Sequence, residues 1–360
     1  MDEPPLLGGE TQPHATNMVG RSWFISGVCG TVGRKLLDRV LQMKPRQVTG
    51  IDHNESELFY LYDEYKNNPC VKLYSGDLRD RAEMESRMDG CEFVLHAAAV
   101  KHVFLCEESP FAAINANILG TQNIIDAAVS VGVERLLFTS SDKAVNPTNV
   151  MGTSKLMAER LVSAANARTR TGKQIFASTR FGNVLGSRGS VIPIFARQIR
   201  AGGPVTVTRQ EMSRFIMTLD EAVRLVMDSL FLARGGEIFV TKMPVVRIGD
   251  LAQVMIEELA GDFGHDPREV AIELIGPRPG EKMYEELMNE EEIVRSIELP
   301  DYFVIRPAIL PIFRDIEYVY PDMNVSRAQD QPYNSKNAKA MSKEELRVYL
   351  RQNPTLLRPD

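Results

Sequence analysis

"WFISGVCGTVGRKLLDRVLQM", residues 23–43, passes from an apolar run that reads as a strand, through three glycines, into a segment of helical period. Gly27, Gly30 and Gly33 form a G-x-x-G-x-x-G pattern at that junction. Glycines permit a tight turn and let the backbone approach a pyrophosphate, whose charge would sit at the N-terminus of the following helix. A glycine triplet alone can be no more than a turn, so its surroundings decide. Further apolar runs follow, "QVTGI", "VKLYS", "FVLHAA", "RLLFTS" and "QIFAST", separated by helical segments such as "ESELFYLYDEY". That alternation predicts an α/β fold, a Rossmann-type doubly wound parallel sheet with helices on both faces.

Beyond about residue 182 the strand-like pieces become shorter, as in "PVTVT" and "EIFVT", among helical segments "LDEAVRLVMDSLF" and "IGDLAQVMIEEL". A smaller C-terminal α/β substrate lobe is expected. The divisions are a flexible leader over 1–20, a dinucleotide domain over 21–182 that later segments cross into, a second lobe over 183–325, and a polar segment with a last helix over 326–360. Ser342 and Glu345 make a capping box that opens that helix.

A chain of 360 residues with ordinary globular composition can bury a large core. Its formal charge of −6 gives no electrostatic reason to expect nucleic acid or an anionic membrane as partner. Cys29, Cys70, Cys91 and Cys106 are irregularly spaced, which suggests neither a metal site nor a disulfide framework. No apolar run reaches the roughly 18 residues of a membrane span. A soluble, cytoplasmic protein with a small ligand is the expectation.

Asp52 closes the second strand nineteen residues after Gly33. A carboxylate there can accept ribose hydroxyls and repels a 2′-phosphate, so NAD is favoured over NADP. "GDLRD" puts Asp77 and Leu78 after the third strand, and "HAAAVKH" puts the small Ala97 and Ala98 where a cofactor would cross the sheet. Gly27, Gly30, Thr31, Val32, Gly33, Asp52, Asp77, Leu78, Ala97 and Ala98 are the candidate cofactor residues.

"HAAAVKHV", "NILGTQNIIDAA", "SSDKAVNPTNVMGTSKLMAE", "RFGNVLGSRGSVIPIF", "VTRQEMSRFIMTLDEAV" and "GPRPGEKMYEEL" occur in one order along residues 22 to 290, with a weaker echo in "YNSKNAKAMSKEEL". In these motifs the chain resembles the extended short-chain dehydrogenase/reductases. Within them it is similar to the bacterial UDP-N-acetylglucosamine 4,6-dehydratases. The resemblance implies oxidation at C4, loss of the C5 proton and the C6 hydroxyl, and return of hydride to C6, with NAD regenerated in each turnover.

It also implies the roles of particular residues. Lys155 would bond the nicotinamide ribose, Asp142 would protonate the departing C6 hydroxyl, and Lys143, desolvated enough to be neutral part of the time, would be the C5 base. Ser141 stands where most relatives carry threonine and would bond O4. Met151 occupies the place of the usual tyrosine, as in members that retain configuration at C5. A thioether cannot accept a proton usefully, so the O4 proton would leave through Ser141, Asp142 or water. Lys101 and His102 would line the sugar cavity, Asn183, Arg214 and Arg278 would grip the diphosphate, Glu281 would accept ribose hydroxyls, and the strand with Val207 would lie by the base. Retaining members are often membrane-anchored, and this chain would be a short soluble version. The family's pairing through helices near 110–130 and 153–170 implies a homodimer or a multiple of it. A C5-inverting or GDP-N-acetylglucosamine enzyme is a close alternative; a catalytically silent NAD-binding sensor is an alternative of another class.

Overall fold

The computed structural model describes residues 18–168, 174–187, 189–276, 280–309, 316–320, 326–327 and 331–357. The first strands are β1 (Ser22–Ser26), β2 (Gln47–Asp52), β3 (Val71–Ser75), β4 (Phe93–His96), β5 (Arg135–Ser141) and β6 (Ile175–Phe181). Next come β7 (Asn183–Val184), β8 (Val205–Val207), β9 (Ser213–Met217), β10 (Ile238–Thr241), β11 (Val245–Arg247) and β12 (Ile272–Leu274). The last are β13 (Glu286–Met288), β14 (Ser296–Glu298), β15 (Tyr302–Ile305), β16 (Ser326–Arg327) and β17 (Tyr333–Asn334).

Ten strands form one sheet in the order β16-β14-β15-β10-β6-β5-β4-β1-β2-β3. Pairing is parallel from β3 through to β10, and β15, β14 and β16 add an antiparallel edge. The fold is therefore the expected doubly wound α/β sheet. Because the chain builds outward from β1 through β2 and β3 and then returns to β4 on the other side, the switch point lies between β1 and β4, where this architecture opens a crevice.

The central strands carry continuous apolar runs because both of their faces are covered. On one face Trp23, Ile25, Phe93 and Leu95 pack with Leu36, Leu37 and Val40 of the helix Thr31–Gln42. On the other, Phe24, Val94, Leu136 and Phe138 pack with Ile124 and Ile125 of the helix Gly120–Val131 and with Ala158 and Val162 of the helix Val150–Ala165. Each large apolar side chain buried in this way contributes about 1.5–3 kcal/mol.

A second apolar cluster joins Ile192, Phe195, Ile199, Val246, Leu251, Met255 and Leu346. It forms the smaller lobe with residues of the short sheets ordered β11-β9-β7 and β12-β8, while Leu287, Met288 and Tyr333 of the β13-β17 pair pack into the main core. Residues 219–241 and 296–305 return to the large sheet, so the stretch 183–325 divides its elements between sheet and lobe. Ser342 Oγ accepts the Glu345 N–H at 3.2 Å and Glu345 Oε2 accepts the Ser342 N–H at 2.7 Å, closing the capping box of the helix Lys343–Gln352. Of the leader over 1–20, residues 1–17 lie outside the described residues. No helix among the described residues is long and apolar enough to cross a membrane.

One buried ionic clip ties the parts that hold the site. Arg180, at the end of β6 and fully buried, donates to Glu159 at 2.8 and 2.9 Å, to Glu292 at 2.7 Å twice, and to the Leu287 carbonyl at 2.9 Å. Glu159 belongs to the helix Val150–Ala165 and Glu292 follows β13, so helix, sheet and lobe are locked together. Removing one partner of such a cluster leaves an uncompensated buried charge, at a cost of about 3–5 kcal/mol.

Candidate active site

The glycine junction sits at the switch point, and its geometry explains the residue type. Gly27 has φ +71°, and a Cβ on it would lie 2.7 Å from the backbone of Ala98. At Gly33 a Cβ would lie 2.0 Å from the Gly27 carbonyl oxygen, so any side chain there would push the helix Thr31–Gln42 off the turn. Asp52, at the end of β2, accepts the Cys29 N–H at 3.0 Å on one carboxylate oxygen and the Asn54 N–H at 3.0 Å on the other. The carboxylate is thereby fixed against the glycine loop. Asp77 is paired with Arg79, whose guanidinium holds its carboxyl below the usual range. Leu78 packs beside Gly120, and Ala97 and Ala98 follow β4 with their N–H groups on Ser26, at 3.2 Å to its carbonyl and 3.3 Å to its hydroxyl. A cradle with no room for side chains and a carboxylate at its far end fits a dinucleotide.

At the carboxyl end of β5 the chain turns through Asp142–Ala144. Asp142 Oδ1 accepts from the Ser141 hydroxyl at 2.7 Å, from the Lys143 N–H at 2.9 Å and from Lys143 Nζ at 3.0 Å. Asp142 Oδ2 is buried without a hydrogen-bond partner. On its other side Lys143 Nζ lies 3.5 Å from Glu285 Oε1, and Arg214 Nε lies 3.7 Å from that same oxygen.

Here one expectation is corrected. Burial of Lys143 does work against its charge, but Asp142 and Glu285 together outweigh it, and its pKa lies above the ordinary lysine value. Desolvation alone does not make this amine neutral. Glu285 is buried, and that burial, opposed by Lys143 and assisted by Asp142, pushes its own carboxyl up.

The helix Val150–Ala165 begins at Asn149, whose Oδ1 accepts the Gly152 N–H at 2.8 Å. A Cβ on Gly152 would lie 2.1 Å from the Lys143 carbonyl oxygen, so a glycine is what lets this helix rest directly on the turn that carries Lys143. Met151 is buried with Cys106 and Ala113, flanked by Val100, Val103 and Val150, and forms an apolar wall. Lys155 Nζ donates to the Thr139 carbonyl at 2.9 Å and stands 4.6 Å from the centre of the Phe138 ring. Burial, opposed by Glu159, pulls its pKa down to about 8.

The residues expected at the nucleotide-sugar end are dispersed. Asn183 on β7 pairs with Ile216, two residues beyond Arg214 on β9. Arg214 is buried, donating to the carbonyls of Ser213 at 2.7 Å and Lys282 at 2.9 Å. Lys101 and His102 are exposed, with His102 at the start of the helix Val103–Glu108 and its ring facing Gly189. Glu281 is exposed, and the side chain of Val207 lies in the core of the smaller lobe, so only its backbone could meet a base. Arg278 lies outside the described residues. The structure thus gathers Ser141, Asp142, Lys143 and Arg214 into one cluster and seats Met151 and Lys155 on the adjoining helix.

A family model described as "Polysaccharide biosynthesis protein" matches residues 23–307. The chain belongs to that family. Relatives of this chain include the uncharacterized membrane protein MJ1061 of Methanocaldococcus jannaschii, 44% identical over 91% of this chain and 95% of its own. The UDP-glucose 4-epimerase of Rickettsia rickettsii is 37% identical over 92% of this chain and 96% of its own. Among solved structures, Pen from Bacillus thuringiensis is 42% identical, with a TM-score of 0.87 over 95% of this chain and 99% of that one. The dTDP-glucose 4,6-dehydratase DesIV of Streptomyces venezuelae, solved with NAD, shares the fold at 20% identity, with a TM-score of 0.63 over 73% of this chain and 86% of that one.

Three residues of this family member escaped the sequence reading. Glu285 stands in "GEKMYEELM" beside the noticed Glu281, but only the fold carries it to Lys143. Gly152 lay unremarked inside "VMGTSK". Asn117 is buried in the wide helical turn Ile114–Leu119, bonding the Val100 N–H and carbonyl at 2.9 and 3.0 Å and Ser154 Oγ at 2.9 Å. It pins the loop before the helix Val103–Glu108 to the helix Val150–Ala165.

Proposed function

We propose that the chain is an NAD-dependent nucleotide-sugar 4,6-dehydratase that acts on UDP-N-acetylglucosamine with retention at C5, in bacterial surface-glycan synthesis. The observation that carries this reading is the shared oxygen of Asp142: an acid and an amine 3.0 Å apart at the sheet's carboxyl end, beside a methionine and not a phenol. A proton can pass from the Lys143 ammonium to Asp142 within that contact. The resulting pair, protonated Asp142 and neutral Lys143, is what the elimination needs. Lys143 takes the C5 proton, Asp142 gives its proton to the departing C6 oxygen, and the pair returns to its starting charges. Asp142 Oδ1, the oxygen in that contact, is the one that receives the proton, and it also accepts from the Ser141 hydroxyl at 2.7 Å.

NAD, when bound, would supply the hydride acceptor for C4 and the hydride donor for C6. Gly27, Gly30, Thr31, Val32 and Gly33 would seat its pyrophosphate, Asp52 its adenosine ribose, Asp77 and Leu78 its adenine, and Lys155 its nicotinamide ribose. Lys143 returns the proton to the face of C5 from which it came, which gives retention, and the proton released from O4 when C4 is oxidised, passing through Ser141, Asp142 or water, restores the pair to its starting charge. Asn183, Arg214 and Arg278 remain the candidates for the diphosphate, Glu281 for the ribose, and Lys101 and His102 for the sugar. Exposed Phe111, Leu119 and Met157 on the helical faces near 110–130 and 153–170 support a homo-oligomer, and the reading places the enzyme in the cytoplasm.

Incubation with UDP-N-acetylglucosamine and substoichiometric NAD tests the reading, with product identified by NMR. The expected result is the UDP-2-acetamido-2,6-dideoxy-4-hexulose without net NADH. The activity named for the rickettsial relative favours a second reading, 4-epimerisation, and a C4-epimer that keeps its C6 hydroxyl would assign it. NAD binding with no conversion of any nucleotide sugar would contradict both readings and leave a sensor.

A further inference from the structure

We propose that Glu285 is a positioning residue for Lys143: its carboxylate, fixed across the amine from Asp142, aims the amine and keeps it charged until Asp142 takes the proton. The inference rests on the reading of Lys143 as the C5 base. Lys143 Nζ stands 3.0 Å from Asp142 Oδ1 and 3.5 Å from Glu285 Oε1, between two carboxylates that come from distant parts of the chain.

Glu285 is held in place independently of Lys143. Its N–H donates to Ser335 Oγ at 2.9 Å, its carbonyl accepts the Ser335 N–H at 2.8 Å, and Ser335 Oγ lies 2.9 Å from Ser213 Oγ. The groups facing it are Lys143 and Asp142 from the end of β5, Arg214 from β9, and Lys282 from its own segment. Its Oε2 is buried without a partner, an arrangement that costs free energy and that a purely structural glutamate would relieve with a second donor.

An opposite charge at such range favours the charged form of an amine. With Glu285 opposite, the ammonium is favoured at rest, and the shorter contact, 3.0 Å to Asp142 against 3.5 Å to Glu285, is the one the reaction uses. The groups that face Glu285 are Lys143, Asp142, Arg214 and Lys282, and none of them belongs to the glycine cradle.

Competitive acylation of the full-length protein with acetic anhydride across a pH series, with the Lys143 peptide quantified by mass spectrometry, reads the midpoint at which this amine becomes neutral. The Lys143 side chain is about a quarter exposed, so the reagent reaches it. Glu285→Gln is expected to lower that midpoint by about one to three pH units, and the kcat–pH profile should shift with it. Glu285→Asp, which keeps the charge but withdraws it by one methylene, should lower the midpoint by less, and it serves alone if the glutamine variant fails to fold. A midpoint unchanged in a folded variant overturns the proposal. Product formation by the parent protein is scored separately, so failure of the dehydratase reading and failure of this inference are distinguishable.

Discussion

Replacing Gly152 by alanine adds one methyl group at the contact between the helix Val150–Ala165 and the turn that carries Lys143. The new Cβ would lie 2.1 Å from the Lys143 carbonyl oxygen, whereas ordinary contact begins at 3.4 Å. The atom it meets is backbone, so no side-chain rotation relieves the clash. Turn and helix must separate by roughly 1 Å, a displacement that can lower turnover about a hundredfold when it falls on reacting groups. Overpacking of this kind also destabilises by about 1–3 kcal/mol, which the Arg180 clip between helix, sheet and lobe should withstand. The expectation is therefore a folded protein with NAD affinity close to the parent's and kcat reduced about a hundredfold. Calorimetric titration with NAD and steady-state product formation measure the two. A folded Gly152→Ala protein whose kcat lies within about threefold of the parent's would show that the apposition of helix and turn does not set the chemistry.

Two further outcomes follow from the same geometry. Asp52→Asn removes the charge at the far end of the cradle while keeping an acceptor for one of the two N–H groups it serves, so preference for NAD over NADP should fall by about tenfold or more; paired titrations check this, and an unchanged ratio removes Asp52 from the cofactor site. Lys155, with its pKa pulled down to about 8, loses its charge as pH rises through that value, so kcat should decline above about pH 8. Arginine stays charged throughout, and Lys155→Arg should abolish that alkaline limb even if its maximal rate is lower; a limb at the same pH in both proteins would assign it to another group.

What could be read from the sequence was what depends on neighbours along the chain. Apolar runs such as "WFIS" and "RLLFTS" announced β1 and β5 because strands buried on both faces need continuous apolar sequence, and Ser342 with Glu345 announced a helix start because a capping box is local. The antiparallel edge of β14, β15 and β16 was not legible, since three short strands acquire their meaning only from pairing with β10 and with each other. The charge of Lys143 was misjudged for a related reason. Burial could be anticipated from its place at a strand end, but the second carboxylate arrives from Glu285, far along the chain, and reverses the balance. Val207 was assigned from a motif position, while the fold turns its side chain into the smaller lobe's core.

The central claim is that Asp142 and Lys143 exchange a proton with C5 and the C6 oxygen of a nucleotide sugar. Turnover of UDP-N-acetylglucosamine in deuterium oxide, with the product examined immediately by NMR, tests it most directly. The parent protein is expected to give a 6-deoxy-4-keto sugar with one deuterium at C5 and unchanged configuration there, and Lys143→Ala is expected to give neither product nor exchange while still binding NAD. Deuterium at C5 in the Lys143→Ala protein, or an inverted centre from the parent, would contradict the account.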